Sequence, residues 1–219
     1  MTWTETYGPV PWRLPIDWHV PPSGTGYLRI RGWMPTPEWL GKLHAAFADL
    51  EECPRLIVEL RGNIGGQLIA ALRFRDWFLI EETVLGSVRF SMGDGRLGEA
   101  EPMVGSPTAT GPRWHKPVRF LVDRQTYSAP EEAILGLGDL PHVEIVGEPT
   151  GGGSGRPRTV RLAPDVAASI STALTYNTRG RWMEGAGVVV DRALSVDAHF
   201  ADPVAMPGWR VLDQADAGW

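Results

Sequence analysis

The sequence predicts an α/β fold, and three observations carry that expectation. Short β-prone apolar runs recur at Leu56–Leu60, Val118–Val122 and Val143–Gly147. Segments with helical periodicity lie between them, the clearest being Pro37–Leu50 with apolar residues at 39, 40, 43, 47 and 50. Strand and helix therefore alternate, the pattern of a sheet with helical crossovers. At 219 residues the chain suits one domain with a sizeable core.

Each element has a local reason. Residues 1–25 are rich in Pro and Trp, which forbids a helix and favours an extended arm lying on apolar surface. Gly26–Gly32 alternates as a strand does. Thr36 is placed to cap the helix that follows, with Pro37 in its first position. Leu56–Leu60 is a buried strand, Asn63–Gly66 a turn, Gln67–Ile80 a second helix, and Thr83–Phe90 a further strand. Ser91–Pro117, rich in Gly, Pro and acidic residues, reads as a surface loop or hairpin. A second αβ unit comprises strand 118–122, helix 129–138 and strand 143–147. Gly151–Gly155 is a crossing, followed by a hairpin over Thr159–Leu162 and Ala168–Tyr176. The organisation expected is an arm (1–25), a core (26–200) and a tail (201–219).

Composition narrows the function. A formal charge of −5 argues against a nucleic-acid or anionic-membrane partner. No apolar run approaches the ~20 residues of a membrane span. The N-terminus lacks the basic and apolar regions of a signal peptide, so a cytoplasmic protein is expected. The one cysteine, Cys53, demands no oxidising compartment. No cluster has zinc-ligand spacing, and Gly151–Gly155 lacks the lysine of a phosphate loop, so neither metal nor organic cofactor is expected.

Chemistry is concentrated at Leu121–Glu132. Ser128 falls between a strand end and a helix start, where its side chain is presented at a sheet edge and the following N–H groups are unpaired. Such a serine can be a nucleophile or simply an N-cap. Tyr127-Ser128-Ala129-Pro130-Glu131 resembles the Ser-Ala-x-Glu nucleophile motif of the S41 serine peptidases. That family includes tail-specific proteases, the tricorn core and the interphotoreceptor retinoid-binding repeats. Leu56–Gly66 resembles its LIIDLRxNxGG block, Val146–Thr150 its VGExT strand end, and Tyr176–Val188 its YxTPxGRxxEGxGV block, with Asp191 beyond.

The resemblance implies a ClpP/crotonase-like ββα superhelix, here a single domain with room for neither the PDZ module nor the helical segment of tail-specific proteases. It also implies an acyl-enzyme on Ser128, with the N–H groups of Gly66 and Ala129 as oxyanion donors. The lysine of the Ser–Lys dyad aligns with Gly153, and the only lysines are Lys42 and Lys116. A tricorn-like Ser/His/Glu arrangement is the expectation instead. Glu184 is the acidic partner, and His19 is chosen as the base over His44, His115, His142 and His199. The substrate would be a peptide or a small molecule, and the arm could join copies into a homo-oligomer. The alternative is a core without proteolysis that binds or transforms an apolar small molecule in a biosynthetic pathway, as a cyclase, isomerase or lyase.

Overall fold

The computed structural model describes residues 16–153, 155–194 and 215–219. In chain order, β1 (Ile16–His19) and β2 (Gly26–Ile30) precede α1 (Pro37–Leu50), β3 (Leu56–Glu59) and α2 (Leu68–Arg75). Then come β4 (Thr83–Gly93), β5 (Arg96–Leu97), β6 (Glu101–Gly105), β7 (Val118–Val122), α3 (Ala129–Ile134) and β8 (Val143–Gly147). The hairpin β9 (Arg158–Ala163) and β10 (Val166–Ile170), β11 (Ala173–Tyr176) and β12 (Arg192–Ala193) complete the described elements.

Among the described residues six strands form the main sheet, in the order β1-β2-β3-β7-β8-β12. All neighbours are parallel except β1, which runs antiparallel to β2. Alternation assigns the two faces. Leu28, Val58, Phe120 and Ile145 face the main core with α1, α2 and α3. An aromatic cluster anchors that core, with Phe74 ring centroids 5.3 Å from Trp33 and 5.1 Å from Phe78. Strands β4, β6 and β11 form a second, antiparallel sheet, and their Leu85, Val88, Met103 and Ala173 join the same core.

The opposite face carries Tyr27, Ile57, Leu121 and Val146 beside a buried Glu59–Arg61 ion pair. Ala215 packs on this face, and the Arg119 guanidinium donates to the carbonyls of Ala215 (2.8 Å), Ala217 (2.8 Å) and Gly218 (2.9 Å).

Local signals set several boundaries. Thr36 caps α1 by accepting from the Trp39 N–H at 3.2 Å, with Pro37 at the start. The second helix is shorter than Gln67–Ile80. It tightens at Asp76 into a 3₁₀ turn that buries Trp77 and Phe78. Helix α3 stops well before residue 138, because Gly136 lies so close to β4 that a Cβ there would be 2.3 Å from the Leu85 carbonyl oxygen. The expected strand over 168–176 is broken in two. The N–H groups of Thr172 and Ala173 both turn to the Gly155 carbonyl, sending β10 to β9 and β11 to β4. Within the expected arm, residues 16–19 form edge strand β1, with Trp18 Nε1 donating to Asp49 at 2.9 Å. Residues 1–15, the tail to residue 214, and His199 lie outside the described residues.

Candidate active site

In a parallel sheet the loops after the strands' C-terminal ends gather at one edge, and two of them meet here. The loop after β7 runs from Asp123 to Ser128; the loop after β3 runs from Leu60 to Gly66. Hydrogen bonds stitch them together. The Asp123 carboxylate accepts from Gly62 N–H at 3.1 Å and Thr126 N–H at 3.0 Å. Thr126 Oγ1 donates to the Leu60 carbonyl at 2.9 Å, and Tyr127 N–H to the Asn63 carbonyl at 3.0 Å. Asn63 is buried and works in both directions. Its amide donates to the Ile30 carbonyl (2.9 Å), and its side-chain oxygen accepts from Gly65 N–H (3.0 Å).

Ser128 sits at the start of α3 with φ 70° and ψ −120°, a backbone conformation that disfavours any side chain. The strain aims the serine toward the β3 loop: a Cβ on Gly65 would be 3.0 Å from Ser128 Cβ and 3.4 Å from its Oγ. Gly65 and Gly66 have φ of 116° and 136°. Gly66 pairs with Trp33 so closely that a Cβ would come 2.3 Å from the Trp33 carbonyl oxygen. Trp33 bonds to the Gly65 carbonyl and the Gln67 N–H, which turns the Gly66 N–H the other way. Among the described residues neither Gly66 N–H nor Ala129 N–H has a protein acceptor, and such donors can hold an oxyanion.

Glu131 is the support that sequence reasoning passed over. The acidic pair after Pro130 reads as a complement to the helix dipole, but the Glu131 carboxylate is fully buried. It accepts from Ser128 N–H (2.7 Å), Gly152 N–H (2.7 Å) and Gly153 N–H (2.9 Å), and from Thr150 Oγ1 at 2.5 Å. One carboxylate thus fixes the strained serine to the Gly-rich loop. The Ser-x-x-Glu spacing of a capping box was the available signal.

The Gly-rich loop carries the ring of Tyr127. A Cβ on Gly153 would lie 1.7 Å from Tyr127 Cζ, so the aligned lysine position admits no side chain while the ring is there.

The Glu184 segment reaches the same loop, since Gly185 N–H donates to the Gly152 carbonyl at 2.6 Å. Glu184 itself accepts from Ser171 Oγ at 3.4 Å. His19 does not come to Ser128. It pairs with Tyr27, which shares a row with Ile57 and Arg119, three strands across and three residues short of Val122. At about 3.3 Å per residue and about 4.8 Å per strand, that gap is about 17 Å before the loop to Ser128 is added. The His19 ring instead packs on Tyr27 at 4.8 Å, and burial lowers its pKa to about 4. The physical reason is strand polarity. Because β1 is antiparallel, its last residue lies toward the end of the sheet opposite Ser128.

The other described histidines also have structural places. His44 meets the Trp77 edge at 5.2 Å, and His115 and His142 contact the carbonyls of Leu79 and Phe78. Lys116 donates to backbone carbonyls at Glu51 and Cys53, and Lys42 pairs with Glu38.

This architecture and site go with a sequence match. The model of peptidase family S41 covers residues 24–194, and the chain belongs to that family. Solved structures share the fold. A protein from Parabacteroides merdae assigned as a peptidase superposes with a TM-score of 0.77 at 24% identity, over 91% of this chain and 64% of its own. Mature CPAF complexed with lactacystin gives 0.68 at 17% identity, over 83% and 50%. The photosystem II D1 C-terminal processing protease gives 0.63 at 21% identity, over 83% and 48%. The chain thus spans under two thirds of the length of these proteins. A comparison with curated protein sequences finds no match. Among the described residues no helix is long and apolar enough to cross a membrane.

Proposed function

We propose that the chain is a serine hydrolase of peptidase type, working through an acyl-enzyme on Ser128. The observation that carries this reading is the strained Ser128 backbone, held by Glu131 against a glycine loop with N–H donors to spare. Ser128 Oγ adds to the substrate carbonyl, and the developing oxyanion is held by Gly66 N–H and Ala129 N–H. The carbonyl re-forms as the leaving group departs with a proton, and water then releases the acyl group by the same path in reverse order. Glu184 is the carboxylate assigned to take the serine proton and return it. His19 is too distant for that part, and none of the described histidines or lysines belongs to the loops around Ser128.

The test is cleavage of a mixed peptide library, followed by mass spectrometry, with wild type, Ser128→Ala and Glu184→Gln. New termini with wild type that vanish in Ser128→Ala support the reading. Products that persist in Ser128→Ala overturn it. A loss of about a hundredfold or more is expected for Glu184→Gln as proton acceptor.

A second reading, non-proteolytic handling of a small molecule, draws on one observation. The Gly66 and Ala129 N–H groups have no protein acceptor among the described residues, while no described histidine or lysine belongs to their loops. Such a loop can stabilise an enolate without a covalent step.

A further inference from the structure

The loop that supplies Gly66 is bordered by apolar surface. Ile64, within that loop, is 75% exposed. Met34 follows the residue paired to Gly66, and Ile69 lies three positions beyond Gly66, within about 10 Å along the chain. Between them opens a cavity of about 210 Å³, walled by Met34, Leu40, Ile69 and Trp77. Met34, Leu40 and Ile69 are exposed. An apolar cavity of about 150 Å³ takes a benzene ring, so this one has room for a large apolar side chain. At its rim stands Arg73, exposed and, among the described residues, without a hydrogen-bond or ion-pair partner. In an acidic chain, an unpaired cation beside an apolar cavity is complementary to an acid carried next to an apolar group.

We infer that this cavity is a substrate subsite for a peptide in which a bulky apolar residue is followed by an acidic side chain. The apolar side chain fills the space between α1 and α2, and the neighbouring carboxylate meets Arg73. A free chain terminus fits less well. Terminal carboxylates are captured by nests of backbone N–H groups, whereas one wall here contains Pro35 and Pro37, which have none. The assignment rests on the reading of Ser128 as nucleophile, because it is Gly66 that ties the cavity to the reacting carbonyl.

The experiment measures anisotropy of fluorescein-labelled nonapeptides binding to the Ser128→Ala protein. The three probes are identical except for a central Phe-Glu, Phe-Lys or Ala-Glu. Phe-Glu is expected to bind tightest, about tenfold tighter than Ala-Glu and about threefold tighter than Phe-Lys. Adding Arg73→Glu should reverse the order of Phe-Glu and Phe-Lys. Adding Leu40→Glu should remove the advantage of Phe over Ala. Equal affinities for the three probes, an order unchanged by Arg73→Glu, or no binding at millimolar peptide would each overturn the subsite. Fluorophosphonate labelling of the wild type separates the two claims. Charge reversal without a Ser128 adduct would retain the subsite and remove the nucleophile; an adduct without charge reversal would do the opposite.

Discussion

Ser128 keeps a side chain where the backbone favours glycine. Positions with φ near +70° and strongly negative ψ cost a non-glycine residue about 1–3 kcal/mol, and glycine's extra chain entropy returns only part of that. Ser128→Gly should therefore raise stability by about 1 kcal/mol while abolishing reaction at the site, read by thermal unfolding and by labelling. A destabilised Ser128→Gly protein would mean that the strain is absent. The serine itself was legible in the sequence because strand end, serine and helix start are adjacent. Glu131 was harder to see, since its partners at Thr150, Gly152 and Gly153 are brought to it only by the fold.

His19 shows the opposite failure. Its place before the core suggested a base, but strand direction, which local sequence does not encode, sends it away. Its pKa of about 4 lies below the usual 6.5 because burial disfavours the charged ring. The unfolded chain then binds the proton more readily than the folded one. His19 contributes stability that is complete above pH 6.5 and lost as pH falls toward 4. Urea unfolding at pH 7 and pH 4.5 should show this loss in wild type, and His19→Phe should diminish it. An unchanged pH dependence in His19→Phe would refute the assignment.

At the level of elements, α1 was readable in full because its cap, its proline and its apolar stripe all lie in one short window. Helices α2 and α3 were read too long because their ends are set from outside. Trp77 and Phe78 must enter the aromatic core, and Gly136 must pass under β4. Among the described residues the β9–β10 hairpin pairs only with itself and leaves Val160, Leu162, Val166 and Ile170 exposed. Two strands alone are marginal in water, and this pair buries almost nothing in the main core. Replacing Pro157–Ile170 by a two-glycine turn should shift the melting temperature by no more than about 3 °C, because surface changes stay within about 0.5 kcal/mol. A larger fall would show that the hairpin supports the core.

For the whole molecule, the two faces of the sheet follow different rules. The helix-covered face is apolar and was visible as buried runs. The other face alternates apolar residues with Arg29, Glu59, Arg119 and Glu144, a pattern that reads as solvent-facing until residues 215–219 are seen to close over Arg119. Trp219 adds its ring 3.9 Å from the Arg119 guanidinium. Ending the chain at residue 214 would leave that buried cation without three carbonyl acceptors. The expected cost is about 3 kcal/mol or more in urea unfolding, against about 1 kcal/mol for Trp219→Ala alone. Equal costs would shift the weight from the carbonyls to the ring.

The proposed function makes Ser128 the centre of the molecule's chemistry, and intact-mass analysis after treatment with a fluorophosphonate tests that claim most directly. One adduct per chain on wild type, lost in Ser128→Ala, is the predicted result. No adduct on folded wild type at high probe excess, or an adduct that survives Ser128→Ala, would contradict the account.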